Sequence, residues 1–249
     1  MTKTLLLDEK GISLTANEIT KVYTLKMDRG PNVVNPDMVE LLGKALDRFE
    51  ESPHPRSLVV TGNGKFFSNG LDLKFLTEST DDQKAEMIVG FWEFLARVLV
   101  ADCRTVAAIN GHAFGAGLFL ALACDYRLMR TQRGYLCWPE ANLGMRLAKG
   151  FSELSKAKVS CQKVLRDGVL TGKRYGSGDA LASGLIDGEC PIGELEGRGE
   201  AMAEEGLPEK LGLQYFNPKT YRTIKIELYV DAYRALTSGQ FDAPPQSRL

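Results

Sequence analysis

The chain has 249 residues, 44% of them hydrophobic and 25% charged, with 31 Lys and Arg against 32 Asp and Glu and a net charge of −1. These are the proportions of a folded globular chain with a sizeable core, and the balance of charge excludes a nucleic-acid or acidic-membrane partner recruited by net positive charge. Cys103, Cys124, Cys137, Cys161 and Cys190 are widely spaced without a Cys-x-x-Cys pair, and His54 and His112 are the only histidines, so reduced core thiols are expected rather than a disulfide framework or a metal centre.

The opening MTKTLLLDEK is too briefly apolar and too soon acidic for a secretory signal. Residues 4–27 alternate apolar runs with the breaks Asp8-Glu9, Gly11 and Asn17-Glu18, which predicts an antiparallel pair of strands. Asn35-Pro36 supplies a cap and a first-turn proline to a helix whose buried stripe is Met38, Leu41, Leu42, Ala45, Leu46 and Phe49. The SLVVT of 57–61 reads as a buried strand ending at Gly62-Asn63-Gly64, and 66–73 reads as a loop. Over 81–101 the spacing of Met87, Ile88, Phe91, Phe94, Leu95, Val98 and Leu99 predicts a long amphipathic helix, which crosses to a parallel strand at 105–109.

Residues 105–125, TVAAINGHAFGAGLFLALACD, combine a β-branched run, a turn at Asn110-Gly111, the small residues Gly115-Ala116-Gly117 and the start of a buried helix. Glycine there lets backbone approach a ligand, and the helix start leaves N–H groups without intrahelical acceptors. The apolar stretch 107–124 nears membrane-span length, but Asn110, His112 and three glycines interrupt it, so a core segment is expected. Further on come a strand at 126–129, a loop over 135–144 that carries Glu140, and helices near 151–170, 178–185, 193–205 and 218–236. No internal repeat of fixed period and no low-complexity segment is present.

Two loops, 68–72 and 115–117, each place small residues before a helix start. Either alone marks only a turn; together they suggest two peptide N–H groups converging on one oxyanion, where losing a donor typically costs about 2.7–4 kcal/mol of transition-state stabilisation. Glu140 follows Trp138-Pro139, an apolar and rigid setting that raises a carboxylate's basicity; the alternative is a solvated acid or helix cap. His112 has no acid or nucleophile at a telling spacing and reads as a hydrogen-bonded structural histidine. There is no G-x-S-x-G, Gly111, Gly115 and Gly117 are wrongly spaced for a dinucleotide fingerprint, and Gly172-Lys173 lacks the rest of a P-loop.

Four segments in order, KFFSNGLDL at 65–73, AAINGHAFGAGLFLALACDYRLM at 107–129, WPEANLG at 138–144 and TGKRYGSGDALASGLID at 171–187, resemble the enoyl-CoA hydratase/isomerase (crotonase) superfamily over almost the whole chain. The resemblance implies an α/β fold, a crotonase-like spiral of repeated ββα units over 1–190 with a helical C-terminal region at 191–249, and a homotrimer or hexamer. It implies an acyl-CoA thioester substrate held by Ser68, Asn69, Gly70, Leu71, Asp72 and Ala116, with the N–H groups of Leu71 and Ala116 on the carbonyl oxygen. No metal or other cofactor is implied, CoA being part of the substrate.

The reaction then depends on the carboxylates. Hydratases of this type carry one glutamate where this chain has Phe119 and a second at Glu140, and dienoyl-CoA isomerases add an aspartate where Ala148 stands. What remains is similar to a Δ3,Δ2-enoyl-CoA isomerase, and the WPEANLG segment is similar to its peroxisomal plant-type branch. The implied mechanism has Glu140 remove a C2 proton and return it at C4, with an apolar wall from Phe119 and Trp138 excluding water. Alternatives are another crotonase-type enzyme, a hydratase or thioesterase, or a scaffold that kept the fold without the chemistry. Ser247-Arg248-Leu249 is a conservative variant of the Ser-Lys-Leu address read by the peroxisomal import receptor, and Pro244-Pro245 would hold it extended, so a peroxisomal enzyme without membrane insertion is expected.

Overall fold

The computed structural model describes residues 3–239 and residue 241; the C-terminal tripeptide Ser247-Arg248-Leu249 lies outside them. The chain opens with three antiparallel strands, β1 (Lys3–Glu9), β2 (Ile12–Asn17) and β3 (Val22–Met27), where the sequence predicts two. The extra strand arises because Lys10 and Gly11 both adopt positive φ and reverse the chain in two residues, so the acidic break is a hairpin tip. Helix α1 (Pro36–Glu50) follows, with the Asn35 side chain accepting the Met38 N–H at 3.0 Å and the six expected apolar residues buried.

Three turns of one unit come next, and each consists of a strand in a large sheet, a short strand in a small sheet and a helix. The first turn is β4 (Ser57–Gly62), β5 (Phe66–Ser68), α2 (Leu73–Glu78) and a long α3 (Asp81–Leu99). The second is β6 (Thr105–Ile109), β7 (His112–Phe114) and α4 (Ala116–Ala123), and the third is β8 (Tyr126–Arg130), β9 (Leu136–Cys137) and α5 (Glu140–Leu143). Strands β5, β7 and β9 form a parallel three-stranded sheet. The remaining elements are α6 (Lys149–Lys158), α7 (Gln162–Thr171), α8 (Ser177–Ala182), β10 (Gly188–Cys190), α9 (Ile192–Glu204), α10 (Pro218–Leu228) and α11 (Val230–Leu236). The large sheet runs β1-β2-β3-β4-β6-β8-β10, parallel from β3 onward. This is the crotonase spiral with its C-terminal helices.

Asn110 joins successive turns of the spiral: its Oδ1 accepts the Gly62 N–H at 3.0 Å, and its Nδ2 donates to the carbonyls of Gly64 and Phe66 at 3.2 Å. The main core lies between the large sheet and α1, α3, α4 and α6, while α9 covers part of the opposite face over Val59, Val106, Ala108 and Leu128. Lys225 anchors α10 by donating to Cys103 O and Asp125 Oδ2, both at 2.7 Å. Among the described residues no helix is long and apolar enough to cross a membrane, and no cluster of three metal-ligating side chains occurs. All five cysteines are free thiols, and burial pushes Cys103 and Cys124 up to about 12.

Candidate active site

The loop after β5 is held by a backbone ladder against residues 31–34. Asn69 N–H donates to Pro31 O at 2.9 Å, Val34 N–H to Gly70 O at 2.8 Å and Asp72 N–H to Val34 O at 2.9 Å, so neither bond of the Val34–Leu71 bridge uses the N–H of Leu71. Ser68 is buried and donates its hydroxyl to Asn32 O at 2.7 Å. Asp72 caps α2, its Oδ1 accepting the N–H groups of Lys74 and Phe75 at 3.1 and 3.2 Å. Both side chains therefore position the loop, while Asn69, Gly70 and Leu71 face a cavity.

Helix α4 begins against this loop. Gly115, at φ +50, is its N-cap and has no side chain to cap the helix, so the N–H of Ala116 belongs to the first turn, where no intrahelical acceptor exists. A Cβ on Gly117 would lie 2.4 Å from Ser68 O, and one on Gly70 would lie 2.8 Å from Phe114 O and 3.6 Å from Ala116 N. Glycine at both positions is what lets the two loops touch. Leu71 and Ala116 consequently line one cavity of about 60 Å³.

The third component comes from the end of β9. Trp138 is fully buried, donates its Nε1–H to Ser155 Oγ at 3.1 Å and packs over Gly168, so it fixes the strand end from behind. Pro139 and Glu140 then enter the cavity wall. Glu140 Oε2 is buried without a hydrogen-bond partner, and Oε1 lies 3.8 Å from the position of a Cβ on Gly115. Burial pushes this carboxyl up from 4.5 to about 7, opposed only by a hydrogen bond from its own backbone N–H. A buried carboxyl raised to about 7, the residues Leu71 and Ala116 of two loop–helix junctions and an apolar lining are thus brought together from three successive turns of the spiral.

The wall facing Glu140 is aromatic. Phe119 stacks on Phe151 with centroids 4.2 Å apart and ring planes 10° apart, and both line the cavity. Phe119 is at once a core residue and a wall residue. Of the expected wall pair, Phe119 faces the cavity and Trp138 does not; Phe151 of α6 takes its place, joined by Leu143 and Met145. These three carry no signal in the sequence beyond apolar periodicity, since tertiary packing alone brings them to Glu140. Ala148 caps the start of α6 outside the lining. His112 also lies outside it, packed among Phe66, Phe114 and Tyr135 with its Nδ1 unpartnered, so it is a ring-packed structural residue rather than a hydrogen-bonded one.

A family model for enoyl-CoA hydratase/isomerase matches residues 17–223. The peroxisomal enoyl-CoA delta isomerase 2 of Arabidopsis thaliana is 32% identical over 206 residues, covering 80% of this chain and 85% of that protein. A putative enoyl-CoA hydratase of Thermus thermophilus is 33% identical over 177 residues, covering 70% and 69%. Among solved structures, the apo enoyl-CoA isomerase of Mtb superposes with a TM-score of 0.80 at 28% identity, covering 92% of this chain and 95% of that one.

Proposed function

The chain belongs to the enoyl-CoA hydratase/isomerase family, and we propose that within it this protein is a Δ3,Δ2-enoyl-CoA isomerase of fatty acid β-oxidation, converting 3-enoyl-CoA into 2-trans-enoyl-CoA. The observation that carries this reading is the single carboxylate of the cavity: Glu140 has a buried, unpartnered oxygen, and a stacked Phe119–Phe151 pair stands where a hydratase-type partner acid would be.

The thioester oxygen is held by the N–H groups of Leu71 and Ala116, with Ser68, Asn69, Gly70 and Asp72 shaping the substrate loop. Glu140 takes a proton from C2; the C–H electron pair enters the conjugated system and charge gathers on the thioester oxygen, where the two donors stabilise it. The Glu140 acid then gives its proton to C4, the dienolate electrons close the C2–C3 double bond, and the carboxylate is regenerated. Atoms and electrons balance within the substrate, so the reaction draws on no metal or redox cofactor, CoA being carried by the substrate. The apolar wall keeps water from adding to the product.

Feeding 3-enoyl-CoA and 2-enoyl-CoA separately tests this: double-bond migration in the first and no 3-hydroxyacyl-CoA from the second are expected. Hydration of the second without migration in the first identifies a hydratase instead. The exposed apolar side chains Tyr215, Ile224 and Leu228 around α10 support a homotrimer or hexamer, which light scattering measures. The peroxisomal relative and the Ser247-Arg248-Leu249 ending support import into peroxisomes through the receptor for that tag; a reporter bearing the last dozen residues is expected there, and a diffuse one refutes it.

A further inference from the structure

On the opposite face of the large sheet, beside α9, lies a cleft of about 670 Å³ that shares no lining residue with the Glu140 cavity. Its floor is made of polar residues from neighbouring strands: Ser13 pairs with Lys26, Lys26 with Thr61, and Thr15 with Thr24. The chain turning from β4 into β5 brings Lys65 to it, and the end of β8 and the turn after it bring Arg130 and Arg133. Ile192 and Leu195 of α9 add apolar side chains to the lining; Ile192 follows two residues after Cys190, whose partner in the sheet is Arg130, and it is 48% exposed.

The charge is one-sided. Lys3, Lys26, Lys65, Arg130 and Arg133 line the cleft against a single acid, Glu196, which is already bound by Lys3. Among the described residues, Lys26, Lys65, Arg130 and Arg133 have no carboxylate partner within ion-pair distance. Arg130 Nε is buried and unsatisfied, while one of its terminal nitrogens reaches Asn110 O only at 3.5 Å. Several cations lining one cleft without carboxylate partners create a positive potential there that favours an anion. The volume lies within the range of small-molecule pockets.

We propose that this cleft binds a phosphorylated small molecule of nucleotide size, its phosphates on Lys26, Lys65, Arg130 and Arg133 and its ring against Ile192 and Leu195. Phosphate fits these four cations because Arg presents a planar fork to its oxygens and Lys a point charge. The apolar side chains beside the cations are what separate a nucleotide from a bare anion.

The test is calorimetric titration of the full chain with inorganic pyrophosphate and, separately, ADP. Saturable 1:1 binding is expected, tighter for ADP than for pyrophosphate; equal affinity for the two means a bare anion site and overturns the assignment of a nucleotide. Arg130→Gln with Arg133→Gln is expected to weaken binding by at least about ten-fold. Lys26→Gln, at an exposed side chain, is a second variant that leaves the fold intact and is expected to act in the same direction. Turnover of 3-enoyl-CoA should be unchanged in both, because none of these residues lines the Glu140 cavity. Absence of saturable binding, or binding indifferent to both variants, overturns the proposal whatever the enzymatic activity is.

Discussion

Glu140→Gln separates the two consequences of burying this carboxyl, one in stability and one in catalysis. Because the folded protein holds the proton up to about pH 7 and the free side chain only to 4.5, the stability conferred by that proton is fully present below 4.5 and is lost as the pH rises to about 7. At about 1.36 kcal/mol per unit, the ionised carboxylate destabilises the native state by about 3 kcal/mol above pH 8. Glutamine keeps an oxygen for the backbone N–H and cannot ionise, although its amide donor replaces an oxygen that already lacks a partner. That amide adds an offset independent of pH, so the quantity to measure is the change in the stability difference between variant and wild type. Urea denaturation at fixed protein concentration is expected to show the variant gaining about 3 kcal/mol relative to wild type between pH 4.5 and 8.5. Over the same range wild-type kcat/KM should rise with pH, level off above about 7 and be lower in Glu140→Gln by at least about 100-fold. A stability difference that is flat with pH, or an activity already level at pH 5, refutes the assignment of a raised carboxyl to Glu140.

Gly117→Ala places a methyl 2.4 Å from Ser68 O and must move the two loops apart; kcat is expected to fall about 100-fold, with a loss of about 1–3 kcal/mol in stability. An unchanged kcat argues against the convergence of Leu71 and Ala116 on one oxygen. Phe119→Ala removes half of the stacked pair from a fully buried position and is expected to cost about 3–5 kcal/mol in urea denaturation. Lys225→Met leaves Asp125 partly buried without its cation, though still bonded to the Thr105 N–H at 2.8 Å. A loss of about 3–5 kcal/mol is expected, and a loss under about 1 kcal/mol means that α10 is anchored by packing alone.

Long periodic elements were legible from the sequence, and so were the residues with constrained chemistry. Helices α1 and α3 announce themselves through Asn35-Pro36 and through the apolar stripe from Met87 to Leu99, and the glycines of 115–117 and the Pro139-Glu140 pair mark two parts of the site. The small sheet was not legible, because β5, β7 and β9 are two or three residues long and too short for alternation to register. The repeat of the spiral was hidden for a related reason: α3 lengthens only the first turn, so equivalent strands recur at unequal spacing and no fixed period exists. The cavity wall is the third case. Trp138 stands two residues from Glu140 in sequence yet points behind the site, while Phe151, eleven residues on, faces it, because α6 folds back across α4.

The same burial accounts for both halves of the proposed chemistry. Burial in an apolar lining raises Glu140 toward neutrality, which would make it a stronger base, and in the proposed reaction it would also strengthen the field of the Leu71 and Ala116 N–H groups at the thioester oxygen. A second carboxylate at position 119 would work against both: it would drive the two acids' pKa values apart and give water a place to be held and activated. Phe119 stacked on Phe151 removes that charge and that water together. In the proposed reaction the proton taken by Glu140 would then have the substrate as its nearest acceptor, so protonation at C4 rather than addition of water would follow.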